Sequence, residues 1–256
     1  MKVTFLGTGT SQGVPIIACK CQVCASTNPK DKRLRSSILI QYNDKNIVVD
    51  TGPDFRQQML TCGISSCDAI LYTHAHRDHL AGLDDIRAFN FIMKKPIDIY
   101  CEKQVDKAIR KEFYYAFEEP KYPGVPEMEM HIISEMAFEL LGKTIIPLRV
   151  WHHKMPVLGF KIDNFVYITD ANKIDEDVKE KIKGCDVLVL NSLRRESHIS
   201  HFTLAEAIEL CNELKPKQAY FTHISHQLGL HDDVNSELPS NIQLAYDGLK
   251  LELDNF

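Results

Sequence analysis

The chain has 256 residues, of which 44% are hydrophobic and 25% charged, a composition typical of a folded globular protein. No apolar run approaches the roughly 18 residues that a membrane-spanning helix needs. The start, MKVTFLGTGTS, lacks the apolar stretch and cleavage site of a signal peptide, so we expect a cytoplasmic protein. The formal net charge of -5 argues against non-specific binding to nucleic acid, which needs a basic surface.

Short strands and helices follow one another along the first half of the chain. The hydrophobic pattern predicts strands at 2–6, 37–42, 46–50, 69–72 and 97–101. It predicts helices at 54–60, 83–92 and 103–117. A proline-containing loop is predicted at 118–130, and the basic segment Lys30 to Arg35 is expected to be a solvated loop.

The second half of the chain also consists of short strands and helices that follow one another. Strands are predicted at 144–150, 158–162, 165–169, 186–190 and 218–222, and helices at 175–182 and 203–214. Thr203 is the predicted N-cap of the last helix, with Glu206 completing a capping box. Strands precede helices without strict alternation, which favours sheets packed together with helices outside.

A cluster of metal-ligand side chains follows the strand predicted at 69–72. It occupies six residues and contains His74, His76, Asp78 and His79. Further ligand types stand just after other predicted strands: Asp50, His152, Asp170 and His223. Because strands of one sheet deliver their ends to a common edge, these residues are predicted to meet. Neutral imidazoles and carboxylates suit Zn²⁺ or Mn²⁺, so the pattern predicts a metal centre.

A second group of ligands is the C-x-C-x-x-C run of Cys19, Cys21 and Cys24. In a cytosolic protein this spacing indicates metal more than a disulfide, although a buried or redox cysteine cluster is the alternative. Three thiolates leave one position of a tetrahedral zinc site empty. His226, three residues after His223, is the predicted fourth ligand of a closed, structural Cys₃His site.

The pattern of an Asp at a strand end, then H-x-H-x-D-H, then His, Asp and His, resembles the metallo-β-lactamase superfamily. The resemblance covers nearly the whole chain and implies an αββα sandwich of two mixed β-sheets flanked by helices. It implies one domain over 1–256, with a small zinc-binding loop near 19–24, and a dinuclear site. The implied ligands of the first metal are His74, His76 and His152, and those of the second are Asp78, His79 and His223. Asp170 would bridge both metals, and Asp50 would orient a ligand histidine. His153 is then a neighbour of the site.

The C-x-C-x-x-C run after FLGTGTSQGVP, together with His226, is most similar to the phosphodiesterase branch of that superfamily, typified by the accessory phosphodiesterase of the carbon–phosphorus lyase pathway. The branch carries a His followed by x-Thr at the position of His201, which implies that His201 protonates the leaving group. His198 is a weaker rival. The resemblance implies two active-site divalent ions (Zn or Mn), one structural Zn, and attack by a metal-bridging hydroxide that Asp78 helps to orient.

We therefore expect a phosphodiesterase for small cyclic phosphates or nucleotide diesters. The alternatives are a tRNA 3′-processing endonuclease, a lactone or thioester hydrolase, and a non-catalytic scaffold. The endonuclease normally carries a protruding arm, whereas only 31 residues separate Asp170 from His201. The expected partner is a small phosphodiester, with no membrane and no non-specific nucleic-acid binding; a homodimer is left open. His131 and His231 are expected to be surface or loop residues.

Overall fold

A computed structural model of the chain describes residues 1–253. Its strands, numbered in chain order, are β1 (Lys2–Gly7), β2 (Ser37–Tyr42), β3 (Lys45–Val49), β4 (Ala69–Leu71), β5 (Ile97–Cys101), β6 (Met128–Ile132), β7 (Phe138–Leu140), β8 (Lys143–His152), β9 (Met155–Ile162), β10 (Phe165–Tyr167), β11 (Lys173–Ile174), β12 (Val187–Asn191), β13 (Gln218–Thr222), β14 (Ile242–Leu244) and β15 (Lys250–Glu252).

The helices are α1 (Gln22–Ala25), α2 (Phe55–Cys62), α3 (Arg77–Leu80), α4 (Arg87–Met93), α5 (Lys103–Glu112), α6 (Glu176–Ile182), α7 (Leu204–Leu214) and α8 (His231–Glu237). Short 3₁₀ segments lie at Pro29–Asp31, Leu83–Ile86 and Tyr114–Ala116. None of the helices within residues 1–253 is long and apolar enough to cross a membrane.

Two mixed sheets form the centre of the molecule. The strands of the first sheet run in the order β15-β1-β2-β3-β4-β5-β6, antiparallel from β15 to β3 and parallel from β3 to β6. The second has the order β11-β8-β9-β10-β12-β13-β14, with β7 paired to β8. It is antiparallel from β11 to β10 and parallel from β10 to β14. The predicted αββα sandwich is confirmed.

Apolar residues on both faces of the central strands hold these layers together. One cluster, which includes Phe5, Ile38 and Phe160, contains side chains of both sheets and fills the space between them. The helices pack on the outer faces through two further clusters, represented by Phe55 with Ile99 and by Leu188 with Leu210. Strands such as β4 and β12, which are buried throughout, read as continuous apolar runs for this reason.

The structure differs from the predicted elements where the pattern was short. Strand β6 lies partly inside the predicted loop, because its residues are only half-buried and lack a clear alternation. The helix predicted at 83–92 is a 3₁₀ segment followed by α4, and the one predicted at 103–117 ends at Glu112. Strands β7, β14 and β15 have three residues each, too few for a periodic signal.

The basic segment at 30–35 is not a solvated loop, since Arg33 is buried. Its Nη1 donates to Thr8 Oγ1 and to the carbonyl of Ala245, both at 2.7 Å. Its Nη2 lies 3.1 Å from Nδ1 of His231, which is also buried and not a surface residue as expected. A guanidinium only donates, so His231 Nδ1 accepts and carries no proton.

Replacing His231 by glutamine is expected to make the protein less sensitive to acid. Burial, and then the charge of Arg33, lower the pKa of His231 to about 4. The folded state therefore binds fewer protons than the unfolded state between about pH 4 and about pH 6.5, and stability falls as pH decreases through this window. Glutamine keeps an acceptor but does not titrate. The fall in Tm from pH 7 to pH 5 should be smaller in His231→Gln than in wild type.

The matched control is His153→Gln, because His153 is exposed. Asp247, whose pKa burial raises to about 6, acts in the opposite direction but is common to all three proteins. An equal fall in Tm for wild type and His231→Gln would contradict the assignment of Nδ1 as acceptor.

Candidate metal centre

Loops at the ends of five strands deliver the predicted ligands to one edge of the sandwich. Asp50 directly follows β3, and His74 comes three residues after β4. His152 is the last residue of β8, Asp170 follows β10, and His223 directly follows β13. Residues up to 173 positions apart in sequence therefore meet (223 − 50). The convergence expected from the sequence is present.

Helix α3 arranges the densest part of the cluster. His76 is extended and precedes the helix, so Asp78 and His79 lie on its first turn. The loop after Asp50 packs against this turn, and Thr51 N donates to the carbonyl of His79 at 2.8 Å. A Cβ on Gly52 would lie 2.1 Å from the Asp78 carbonyl oxygen, so only glycine permits this approach.

Three of the residues at strand ends have left-handed backbones. The φ angles are 63° at Asp50, 54° at Asp170 and 56° at His223. This conformation costs on the order of 1–3 kcal/mol for a non-glycine residue, and it persists at functional sites where the surroundings enforce it. All three side chains lie at this edge of the sandwich, although eight other non-glycine residues of the described chain also have a positive φ.

The histidine rings form two neighbouring groups. In the first, the ring of His74 lies 4.6 Å from that of His76 and 5.8 Å from that of His152, between centroids. In the second, His79 Nε2 lies 3.3 Å from Asp78 Oδ2, and its ring stacks on His223 at 5.9 Å. By their possible donor atoms, Asp78, His79, Asp170 and His223 form one set within 4.8 Å, and His74, His76 and Asp170 form another. The donor atom of His152 lies in a third set with those of Asp170 and His201.

Asp170 lies between the two groups. Its Oδ2 is 3.7 Å from His74 Nε2, while its Oδ1 is 3.4 Å from His79 Nε2 and 2.9 Å from His223 Nδ1. One carboxylate oxygen thus faces each group, the arrangement that a bridging ligand requires. Burial raises the pKa of Asp170, but His223 and His79 outweigh burial and hold it well below its usual range.

Hydrogen bonds to the outer nitrogens fix the ring orientations. Asp50 accepts from Thr73 N at 2.9 Å, from Thr73 Oγ1 at 2.8 Å and from His79 Nδ1 at 2.8 Å. Thr73 Oγ1 in turn lies 2.9 Å from His74 Nδ1. His152 Nδ1 donates to the carbonyl of Ser200 at 2.9 Å. Each interaction leaves Nε2 free for a metal. Sequence reasoning missed Thr73 and Ser200; Thr73 adjoins the motif, whereas a main-chain carbonyl has no sequence signal.

The residues present fit divalent ions. The Nε2 atoms of His74 and His79 are buried and have no hydrogen-bond partner among the described residues. Burial and then the nearby His79 hold the pKa of His74 well below its usual range. The Nε2 of His74 is therefore unprotonated and can coordinate a metal ion. A polar atom is costly to bury unpaired, and metal coordination would satisfy both nitrogens. The nitrogen and carboxylate donors suit zinc or manganese.

His201 lies against both groups. It is buried, and its ring centroid is 4.6 Å from His152 and 4.8 Å from His223. Its Nδ1 has no hydrogen-bond partner among residues 1–253. Burial, and then His223, lower its pKa to about 3. Its possible donor atom also lies within 4.8 Å of those of His152 and Asp170.

The two other histidines considered at this site lie further out. The ring of His198 is 5.1 Å from that of His201 and is only partly buried. His153 is exposed and binds Asn172 through its main chain, so it lies outside the cluster.

The three cysteines and His226 form a separate cluster. His226 Nδ1 lies 3.5 Å, 3.2 Å and 3.6 Å from the Sγ atoms of Cys19, Cys21 and Cys24. Tetrahedral zinc, with bonds of about 2.3 Å to sulfur and about 2.1 Å to nitrogen, separates such ligands by about 3.6 Å. Helix α1 brings the last two cysteines together, since Cys24 N donates to the Sγ of Cys21, its N-cap. This hydrogen bond, and then His226, lower the pKa of Cys21 to about 6.

The chain matches the family model described as "Beta-lactamase superfamily domain" over residues 45–224. It is 39% identical to a protein of Porphyromonas gingivalis named octanoyltransferase, over 99% of this chain. The match covers 52% of that protein, so the chain spans about half the length of this curated relative.

Solved structures of other proteins are also similar to this chain. A diphosphatase from the PhnP family is 41% identical and superposes with a TM-score of 0.92, covering 98% of this chain and 96% of that one. Zn²⁺-bound PqqB from Methylobacterium extorquens has the same fold at 20% identity, with a TM-score of 0.78 and coverage of 99% and 100%. The ligand pattern, the sandwich and these matches agree: the chain belongs to the metallo-β-lactamase superfamily, a family of metal-dependent hydrolases.

Proposed function

We propose that this protein is a phosphodiesterase that uses two divalent ions to hydrolyse small cyclic phosphates or nucleotide diesters. The observation that carries the proposal is the position of His201, a buried imidazole without a hydrogen-bond partner at Nδ1, packed against both ligand groups. The 41% identity to a diphosphatase of the PhnP family supports phosphoryl chemistry. Both observations favour it over a lactone or thioester hydrolase.

The ions would supply a strong nucleophile at neutral pH and neutralise the phosphoryl oxygens. The residues of this chain do the positioning. His74, His76 and His152, whose rings are neighbours, would hold one ion, and Asp78, His79 and His223 the other, with Asp170 between them. Asp50 fixes the His79 ring through Nδ1, and Ser200 does the same for His152.

His201 would assist departure of the leaving oxygen. Its low pKa keeps the ring neutral at pH 7 before substrate binds. A phosphodiester anion beside the ring would raise that pKa, because an opposite charge favours the protonated form. The ring would then donate a proton to the alkoxide as the phosphorus–oxygen bond breaks.

Two alternative functions, tRNA 3′-processing and diphosphate hydrolysis, would use the same edge of the sandwich. Between Asp170 and His201 the chain forms only β11, α6, β12 and a short loop, so no arm for gripping tRNA projects there. The similarity to the PhnP-family diphosphatase is the observation that favours diphosphate hydrolysis. A phosphate leaving group needs no proton, so the contribution of His201 distinguishes a diester from a diphosphate substrate.

Replacing His201 by alanine is expected to slow hydrolysis most for substrates whose leaving oxygen needs a proton. For a nucleoside 2′,3′-cyclic phosphate, whose ribose oxygen needs a proton, kcat should fall by roughly two to four orders of magnitude. For bis(p-nitrophenyl) phosphate, whose p-nitrophenolate departs unprotonated, the loss should be much smaller. Steady-state kinetics on both substrates test this, with metal analysis to verify that both active-site ions remain.

The control is His153→Ala, because His153 lies outside the cluster. Equal losses on both substrates would indicate structural damage and would remove His201 from the mechanism. Lactone or thioester hydrolysis by wild type, without phosphodiester hydrolysis, would contradict the proposed function.

A further inference from the structure

Strand β6 is an open edge of the first sheet. It pairs with β5 on one side, and no strand among residues 1–253 pairs with its other side. The strands at the other ends of the two sheets, β11, β14 and β15, have only two or three residues each. Strand β6 has five residues and contains neither proline nor lysine, which commonly protect an edge from pairing. Among the strands that end the two sheets, it is therefore the one best suited to pair with a further strand.

The pairing with β5 decides which main-chain groups of β6 point outward. Ile97 N donates to the carbonyl of Glu127, and Ile133 N donates to the carbonyl of Cys101, both at 3.0 Å. The odd-numbered residues of this stretch therefore turn their main-chain groups toward β5, because the direction alternates along a strand. The even-numbered residues turn theirs away from the sheet; they are Met128, Met130 and Ile132. No hydrogen bond from another segment of residues 1–253 satisfies these outward groups.

The side chains of β6 divide between its two faces. The methionines pack against the outer apolar cluster beneath the helices. Glu129 and His131 lie on the opposite face, where the His131 ring stacks on that of Tyr100 at 4.5 Å. Asp98 Oδ1 accepts from His131 Nε2 at 2.7 Å, which fixes this ring. Since Glu129 is exposed and His131 is partly exposed, the open edge carries an acidic and a basic group two residues apart.

We propose that β6 pairs with β6 of a second copy of this chain, in the antiparallel register centred on Met130. In that register, residue 128 faces residue 132 of the other copy. The outward main-chain groups would then bond between the copies, because they fall on the hydrogen-bonded pairs of an antiparallel ladder. Glu129 of each copy would face His131 of the other in the pairs without hydrogen bonds, where side chains are closest.

A second copy fits this edge because the edge is complementary to itself. A two-fold axis at Met130 repeats every contact, so the pair of opposite charges forms twice. Registers centred on Glu129 or on His131 would instead place two carboxylates or two imidazoles directly opposite each other, which is unfavourable. On the other face, Ile132, which is 55% exposed, would pack beside Met128 of the other copy. Charge and apolar contacts therefore favour the same register.

Sedimentation velocity over a range of protein concentrations tests whether the edge pairs. Wild type should be a dimer. Met130→Pro removes the outward N–H at the two-fold axis but no hydrogen bond to β5, and proline is tolerated at such a position of an edge strand. This variant should be a monomer with a Tm close to that of wild type. If its Tm falls, the charge variants described next decide the question.

Two charge substitutions test the register. Glu129→Lys would place a lysine opposite His131 of the other copy, and His131→Glu would place a glutamate opposite Glu129. Each variant alone should dimerise at least about 10-fold more weakly than wild type, because the unfavourable pair occurs twice. An equal mixture of the two variants should dimerise again, since the introduced lysine of one chain would face the introduced glutamate of the other. Glu180→Lys, at an exposed position on α6, is the matched control and should dimerise like wild type.

Each contrary result overturns a stated part of the proposal. Wild type that is monomeric at every concentration would exclude pairing with a second copy. A dimer that persists in folded Met130→Pro would show that the chain associates through another surface. If both charge variants are weakened and their mixture does not recover, the register centred on Met130 is wrong. None of these measurements uses catalysis, so they are independent of the proposed function.

Discussion

Replacing His76 by alanine is expected to abolish hydrolysis of every substrate while leaving the fold intact. His76 lies 4.6 Å from His74 and 5.1 Å from His152 between ring centroids, so it completes the first ligand group. Without it, that ion would keep only His74, His152 and the shared Asp170. It is exposed and precedes a short helix, so its removal opens no cavity in the core. We expect a loss of at least three orders of magnitude in kcat, on the scale of removing a catalytic metal.

The measurements are kcat on bis(p-nitrophenyl) phosphate, metal content and Tm. His76→Ala should hold one active-site ion fewer than wild type and melt close to it. The control is His153→Ala, which replaces an exposed histidine directly after His152 of the same group and should keep both activity and metal. If His76→Ala retained full metal content and more than a tenth of wild-type activity, the proposal of a two-metal active site would be wrong.

Replacing Cys21 by serine is expected to remove one zinc ion and to lower stability. The pKa of Cys21 is lowered to about 6, whereas burial raises the pKa of Cys24 to about 11. Its Sγ is also the sulfur nearest His226 Nδ1, at 3.2 Å. A closed zinc site contributes its binding free energy to folding. A loss of about 3 kcal/mol would lower Tm by about 6–12 °C in a protein of this size.

The cluster of Cys19, Cys21, Cys24 and His226 joins residues 202 positions apart, Cys24 and His226, so its loss should loosen one wall of the proposed active site. Activity should fall less steeply than Tm, because the active-site ligands remain. Cys62→Ser is the matched control: this thiol is partly exposed on α2, outside both clusters. A Cys21→Ser protein with unchanged zinc content and Tm would contradict the Cys₃His site.

The sequence determined the elements that have a strong local pattern. The strands β5 and β13 have the predicted bounds, and Thr203 with Glu206 forms the predicted capping box, since each depends on residues within one segment. That two groups of ligand-type side chains would cluster was also predictable, because few chemistries place that many histidines, carboxylates and thiols at such spacing.

The tertiary structure decided how those ligands are oriented. The pairing of His152 Nδ1 with the Ser200 carbonyl, and of Asp50 with Thr73 and His79, depends on loops that meet only in the folded chain. The same holds for Arg33, which sequence places in a basic loop and the fold buries against His231. Local patterns specify which donors are present, whereas long-range packing specifies where each donor atom points.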